Sequence, residues 1–418
     1  MSATAREPRV AGPLELTRGY LHQVDVVRLL TFGSVIAVHS VASTTPPDDG
    51  AARGVLMLLH FTRATFFVIT GFVLFHSNYR KVLDVGRFWR RRFLLIGVPY
   101  VVWSLLYWAV YAWRYHSVDV RQLAVQLLTG TAEYHLYFLL VSMQVYVAFG
   151  LLVRLVRATE GHHGALLAGA AGYQLAFFWL LHDVLPSWHS QPHWVAVLAP
   201  YMQQLLPSYL AYVVAGALAA VHLERTQRFV LGHGRAIALV LVVGAAVTEA
   251  AYLLQVATGT RPFPAADVLQ PVMVPWTFAV TAGLLWLGLR YAVRRRPGPV
   301  AAAVSEGSRI SFGVFLVHPL VITLLLTSPA RHVLGAAGQP LTSALLWLGT
   351  VLVSVAVVEV FVRTPLSLPL TGRRRPRGGA PRGPLTASGQ REPGRDGEAR
   401  PETPGPSRAA RIETGSDS

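Results

Sequence analysis

The sequence predicts an all-α, polytopic membrane protein of about ten transmembrane helices with both termini in the cytoplasm. Three observations predict it. First, the 418 residues are 53% hydrophobic and only 14% charged, with a mean hydropathy of +0.43, whereas a soluble domain carries about 25% charged residues. Second, windows of roughly 20 apolar residues, long enough to cross a bilayer, recur along the chain. Third, basic residues alternate between loops. One set of loops holds Arg80, Lys81, Arg87 and Arg90 to Arg92, then Arg154 and Arg157, then Arg225 and Arg228, then Arg290 and Arg294 to Arg296. The alternate loops hold only Arg53, Arg121, Arg261 and Arg331. Basic loops stay on the cytoplasmic side, so the first set faces the cytosol.

The expected spans are 20–41, 54–76, 93–115, 132–154, 164–184, 203–223, 235–257, 270–292, 309–328 and 341–363. They make up a domain over 20–365, between a short cytoplasmic segment, 1–19, and a cytoplasmic tail, 366–418. The tail is rich in Pro, Gly, Arg, Glu and Ser and is expected to be disordered, because it cannot bury a core. The first 19 residues hold no separate apolar stretch, so the first span is expected to act as the insertion signal. The chain has no cysteine, which excludes disulfides, thiolate metal sites and a cysteine nucleophile. A net charge of +16 raises nucleic acid as a partner. The basic residues sit in short loops between apolar segments, and Lys81 is the only lysine, so the lipid bilayer is the expected partner and nucleic acid is not. No internal repeat stands out.

Within the first span, Asp25, Arg28 and His39 interrupt an apolar run. Charged groups in a bilayer are costly and usually serve a function. Arg28 and His39 are 11 residues apart, which is within roughly 20° of a whole number of turns and about 16 Å along a helix. Asp25, three residues before Arg28, shares the same face. The three form a stripe leading across the membrane.

The second span carries His60, Arg63 and Gly71. Gly71 suits close helix packing, and Arg63 either faces a polar interior or snorkels outward. Before the third span, Arg87, Arg90, Arg91 and Arg92 form a compact cationic run. The run is either a topological signal or a bidentate site for an anionic ligand. At the outer end of the fourth span, Glu133 and His135 sit among Tyr134 and Tyr137, as an interfacial belt or as groups facing a polar acceptor. The outer loop 187–194 contains two His and two Trp. It reads as an interfacial anchor, with Trp stacked over a sugar ring as the alternative, and two His are too few and too loosely placed to argue for a metal. In the ninth span, Ser311 and His318 are seven residues apart and His318 precedes Pro319, a place where a helix kinks and frees a carbonyl. Glu249 and Glu359 are further intramembrane acids whose partners the sequence does not identify.

The ordered segments VDVVRLLTFGSVIAVHS, TFFVITGFVLF, RFWRRRFLLIGVPYVVWSLLY, HLYFLLVSMQVYVAF and ISFGVFLVHPLVI resemble the acyltransferase 3 family of integral membrane acyltransferases. The resemblance covers roughly 18–365 and is nearest to the branch that O-acetylates or succinylates surface polysaccharides. Arg28 and His39 match the family's Arg-x10-His motif, and the run at 87–92 matches in position and type. The chain departs from the family's LDGLRG-like start, reading QVDVVRLL, and has Thr70-Gly71 where Ser-Gly is common.

The resemblance implies a multi-pass plasma-membrane enzyme that moves an acyl group, acetyl in the simplest case, from cytosolic acyl-CoA to a hydroxyl of a glycan. A glycosylated natural product is the alternative acceptor. It implies acyl-CoA as donor substrate, no bound cofactor and no metal. His39 is the expected general base, with Arg28 on the donor's polar groups or the oxyanion and Asp25 orienting Arg28. Arg87, Arg90, Arg91 and Arg92 are expected on the CoA phosphates. Arg63, Glu133, His135, Ser311 and His318 are expected to line the cavity. A transporter or exporter of glycan or acylated product is the alternative from another class, and it would show paired broken helices.

Overall fold

The computed structural model describes residues 20–375 apart from positions 117 and 189. The expected N-terminal segment, most of the expected tail (376–418) and one His of the outer loop lie outside the described residues. Every regular element among those described is helical. In a bilayer only helices and closed barrels satisfy their own backbone groups, and the long apolar runs leave the helix as the choice.

Besides a few short helical turns, the helices are α1 (His22–Thr44), α2 (Gly50–Leu59), α3 (Phe61–Asn78), α4 (Val85–Tyr115), α5 (Val120–Thr129), α6 (Tyr137–Ala158), α7 (His163–Trp179), α8 (His193–Leu198), α9 (Leu210–Val221), α10 (Leu223–Gly232), α11 (Gly234–Ala257), α12 (Met273–Arg294), α13 (Pro299–Thr327), α14 (Leu341–Arg363) and α15 (Ser367–Thr371). Among the described residues nine helices, counting α2 with α3 as one and continuing α7 through Ser187, are long and apolar enough to cross a membrane, and one bent pair makes a tenth span.

Several of the expected boundaries differ from the structure; the ninth span, expected from 309, already starts at Pro299, and three further differences have physical reasons. The third span begins before the arginine run rather than after it. The Asp84 side chain caps α4 by accepting from the Arg87 N–H at 3.0 Å, and the 31-residue helix is about 46 Å long, so its first turns project past a hydrocarbon layer about 30 Å thick. The sixth span is broken, with His193–Gln204 and Leu206–Val221 meeting at 43° around an extended Leu205. Buried backbone there needs partners, and two glutamines supply them. Gln144 donates to the Gln204 carbonyl and accepts from the Leu206 N–H, both at 2.8 Å. Gln174 donates to the Ser208 carbonyl and accepts from the Ala211 N–H. Finally, the segment expected to be disordered from 366 begins with a helix, Ser367–Thr371. The residues of α15 fold against α4, with Trp103 Nε1 donating to the Leu370 carbonyl at 3.1 Å and Ser367 and Thr371 buried.

The core lies along α1, α3, α6, α9 and α13, where Phe67, Phe138, Phe315 and Tyr209 interlock. α13 is the most enclosed span, with 61% of its apolar window inside the protein, while α7 and α11 bury 11% each and face outward. Gly71 permits the close helix contact its small size suggests. A Cβ there would sit 2.3 Å from the Val213 carbonyl oxygen, and one on Gly216 of α9 would sit 2.0 Å from that of Val68. The two helices touch backbone to backbone, which only glycine allows.

Candidate active site

Two polar clusters occupy opposite ends of α1. The first gathers at the end away from the arginine-rich loops. There the His39 ring lies 4.2 Å from Tyr134 and 5.4 Å from His318, centroid to centroid, and His135 lies 5.2 Å from His318. Tyr107 and Phe315 wall the group in, at 5.6 and 5.0 Å from His135. Thus α1, α13 and the turn before α6 each contribute an imidazole to one place. His135 and His318 are fully buried, His39 is partly exposed, and Tyr134 is 44% exposed, so the cluster opens past Tyr134.

Pro319 explains how His318 is held. Its ring nitrogen has no hydrogen to give to the carbonyl four residues earlier. That carbonyl belongs to Phe315, and the His318 Nδ1–H donates to it at 2.7 Å. The next carbonyl, of Leu316, is met by the Tyr107 hydroxyl at 2.8 Å. With Nδ1 as the donor, Nε2 is the bare nitrogen, and it is buried with no hydrogen-bond partner. Among the described residues no group of three or more ligands is arranged to hold a metal ion.

Arg63 faces the interior of the same half. Its Nη1 donates to Gln203 Oε1 at 3.0 Å, and its guanidinium lies 5.9 Å from the Tyr137 ring centroid. The broken span therefore has a local use, since it delivers Gln203 to Arg63. Glu133 stands beside the cluster and accepts from the Tyr134 N–H at 3.4 Å. Burial pushes its carboxyl above the usual range.

The second cluster forms at the arginine-rich end. Asp25 is buried and accepts from Tyr20 at 3.0 Å and from Ser308 at 2.7 Å, with His22 Nδ1 3.8 Å away. The expected Asp25–Arg28 pairing is thus replaced by neutral hydroxyl donors, because the carboxylate turns toward Ser308 of α13 and back toward Tyr20 and His22 rather than forward to Arg28. Arg28 instead shares its surroundings with Arg92, Arg373, Tyr20 and Tyr146. Arg92 lies over the Phe88 and Tyr146 rings at 5.7 and 5.9 Å. Arg373 arrives from beyond the last span. Gly372, at φ 66°, turns the chain back, and Ser367 Oγ holds the Arg373 carbonyl at 2.8 Å. Burial, then the charges of Arg309 and Arg28, push the Arg373 guanidinium down to about 10.

Among the described residues, no carboxylate lies within ion-pair distance of Arg28, Arg92 or Arg373. Arg309 is neutralised by Glu306 and by Glu359 at 3.1 Å, and Glu359 also meets Arg363 at 3.7 Å. Converging, unneutralised guanidiniums make a site for a polyanion.

The remaining expected residues separate from these clusters. Arg87 pairs with Asp84 at 3.4 Å on the surface, and Arg90 and Arg91 are exposed. Ser311 donates to the Ser308 carbonyl at 2.9 Å, near Asp25 and about two turns of helix from His318. Glu249 lies against Gly54 of α2. Arg373, Ser308 and Gln203 were not singled out in the sequence. The first sits in what reads as tail, and the other two are ordinary polar residues whose partners are distant in the chain.

A family model described as an acyltransferase domain matches residues 21–363 and so takes in nine spans, the broken pair and both clusters except Tyr20 and Arg373. No curated protein and no solved structure matches the chain.

Proposed function

The chain belongs to the acyltransferase 3 family and is a membrane acyltransferase, and on that premise we propose that it moves an acetyl group from acetyl-CoA to a hydroxyl of a carbohydrate-containing acceptor. One observation carries the reading. A single helix, α1, has free guanidiniums at one end and a histidine cluster at the other, about 16 Å apart. A donor with a phosphate-bearing head and a long flexible arm suits that arrangement. In this reading the arginine-rich end faces the cytosol of the plasma membrane. Arg28, Arg92 and Arg373 hold the phosphates, and the arm lies along α1 with the thioester near His39.

The acceptor hydroxyl enters past Tyr134. His39 takes its proton as the oxygen attacks the thioester carbonyl, and the tetrahedral oxyanion sits in the field of Arg63. Collapse breaks the C–S bond, and the proton on His39 passes to the departing sulfur. A new C–O bond and a free thiol result. His318, with Nε2 bare, orients the acceptor or the His39 ring. The exposed ring of Tyr134 offers a face suited to a sugar, which favours a glycan over a purely apolar alcohol. A glycosylated natural product would meet the same surfaces. The transporter reading gains little, since among the described residues there is one bent pair and not two in corresponding positions.

The test is transfer of radiolabelled acetyl from acetyl-CoA to candidate glycans by the purified protein in nanodiscs. Label on an acceptor hydroxyl supports the reading. Donor binding without transfer to any hydroxyl, or no donor binding, overturns it.

A further inference from the structure

A second cationic site lies apart from the one assigned to the donor. A cavity of about 470 Å³ opens between the end of α12 and the start of α13. Arg290, Arg294, Arg295 and Arg296 line it together with Tyr291 and the first turn of α13. Among the described residues none of the four guanidiniums has a carboxylate within ion-pair distance. Arg295 Nε and the Tyr291 hydroxyl are buried without a hydrogen-bond partner. Buried donors of this kind are normally satisfied, and both belong to residues that line the cavity, so an acceptor bound there would satisfy them. The opening turn of the 29-residue α13 is part of the same wall, and its unpaired N–H groups add to the positive potential. Ser308, the residue of α13 bonded to Asp25 at the donor end, is nine residues from Pro299, about 14 Å along the helix.

Its surroundings say which anion. Val300, in the cavity wall, is 68% exposed, and Leu287, one turn of α12 before Arg290 and Tyr291, is 47% exposed. Arg290 lies 5.4 Å from the Trp286 ring centroid, an aromatic–cation pair suited to the membrane boundary. A water-soluble phosphate would need no apolar rim, whereas a phospholipid would lay its chains against Leu287 and Val300. We propose that this cavity binds the headgroup of an anionic phospholipid from the leaflet on the arginine-rich side. Bidentate guanidinium–phosphate contacts would hold it, with Tyr291 and Arg295 donating to the phosphodiester.

The experiment uses the full chain in neutral detergent, titrated with phosphatidylglycerol, phosphatidylcholine or glycerol phosphate. Native mass spectrometry reads bound lipid, and thermal shift reads stabilisation. Wild type is expected to retain phosphatidylglycerol over phosphatidylcholine by about tenfold or more, and R294Q/R295Q to lose that preference. R225Q/R228Q, which removes two exposed arginines of α10, should keep it. Should R294Q/R295Q fail to fold, R295Q and Y291F singly leave at least three of the four charges in place, and each is expected to weaken retention severalfold. Equal retention by all variants overturns the proposal. So does displacement of the lipid by equimolar glycerol phosphate, which would make the occupant a soluble phosphate. A rise in the acetyl-CoA KM with lipid retention unchanged overturns it as well, by giving the cavity to the donor.

Discussion

Replacing Arg373 by methionine removes one guanidinium from the arginine-rich end of α1 and keeps most of the side chain's apolar stem. The structure makes the consequence asymmetric. In the free protein Arg373 is half-buried, faces Arg28 and Arg309, and has no carboxylate partner among the described residues. Its loss relieves repulsion, so thermal stability should hold or rise. In the donor complex it would contact a phosphate, and a hydrogen bond to a charged group is worth about 1.5–3 kcal/mol. At 1.4 kcal/mol per decade that is about 10- to 100-fold, and screening at a half-exposed site favours the lower end. Steady-state transfer with acetyl-CoA should therefore show KM raised about tenfold and kcat nearly unchanged. Acetyl-pantetheine, which lacks the nucleotide phosphates, provides the control, since wild type and R373M should use it equally. An unchanged acetyl-CoA KM, or an equal loss with both donors, would refute the assignment of Arg373 to the phosphates.

Three other outcomes are expected. Gly216→Ala should destabilise the fold by about 1–3 kcal/mol, because its Cβ would meet the Val68 carbonyl oxygen at 2.0 Å, while Gly164→Ala, with nothing within 4 Å, should not; thermal unfolding in detergent compares them. Pro319→Ala gives the Phe315 carbonyl a backbone donor and frees His318 Nδ1 to turn, so kcat should fall about tenfold or more with little change in donor KM, which a kinetic split reads directly. Burial raises the Glu133 carboxyl above its ordinary value of 4.5; a raised acid contributes stability below that value and loses it as pH rises through the folded pKa. Glu133→Gln should thus gain stability relative to wild type as pH is raised above 4.5, and a constant difference across pH would contradict the burial argument.

The spans were legible because hydropathy reports the length of each apolar run, and most windows fall within a few residues of the helices. The exceptions are instructive. Hydropathy excludes Arg87 to Arg92, yet a helix needs only its cap, here Asp84, to start among charges. Leu206-Pro207 hints at a break in the sixth span, but the side chains that make the break tolerable, Gln144 and Gln174, lie on other helices. The histidines of the candidate site were each visible as polar residues in apolar settings. Their convergence was not, because His39 and His318 are 279 positions apart and only packing relates them. Helical spacing placed Asp25 beside Arg28 correctly, but spacing along one helix does not say that Ser308 of α13 offers a better hydrogen bond. Arg373 was hidden by composition, since it adjoins a Pro- and Gly-rich stretch, although the apolar residues of α15 just before it dock on α4.

If donor binding and proton transfer occupy opposite ends of α1, H39A separates them when acetyl-CoA binding and acetyl transfer are measured side by side. Wild-type donor affinity is expected, with transfer slowed by about 10²–10⁴-fold, the usual worth of a positioned base. Transfer at the wild-type rate, or loss of donor binding together with transfer, would contradict that placement.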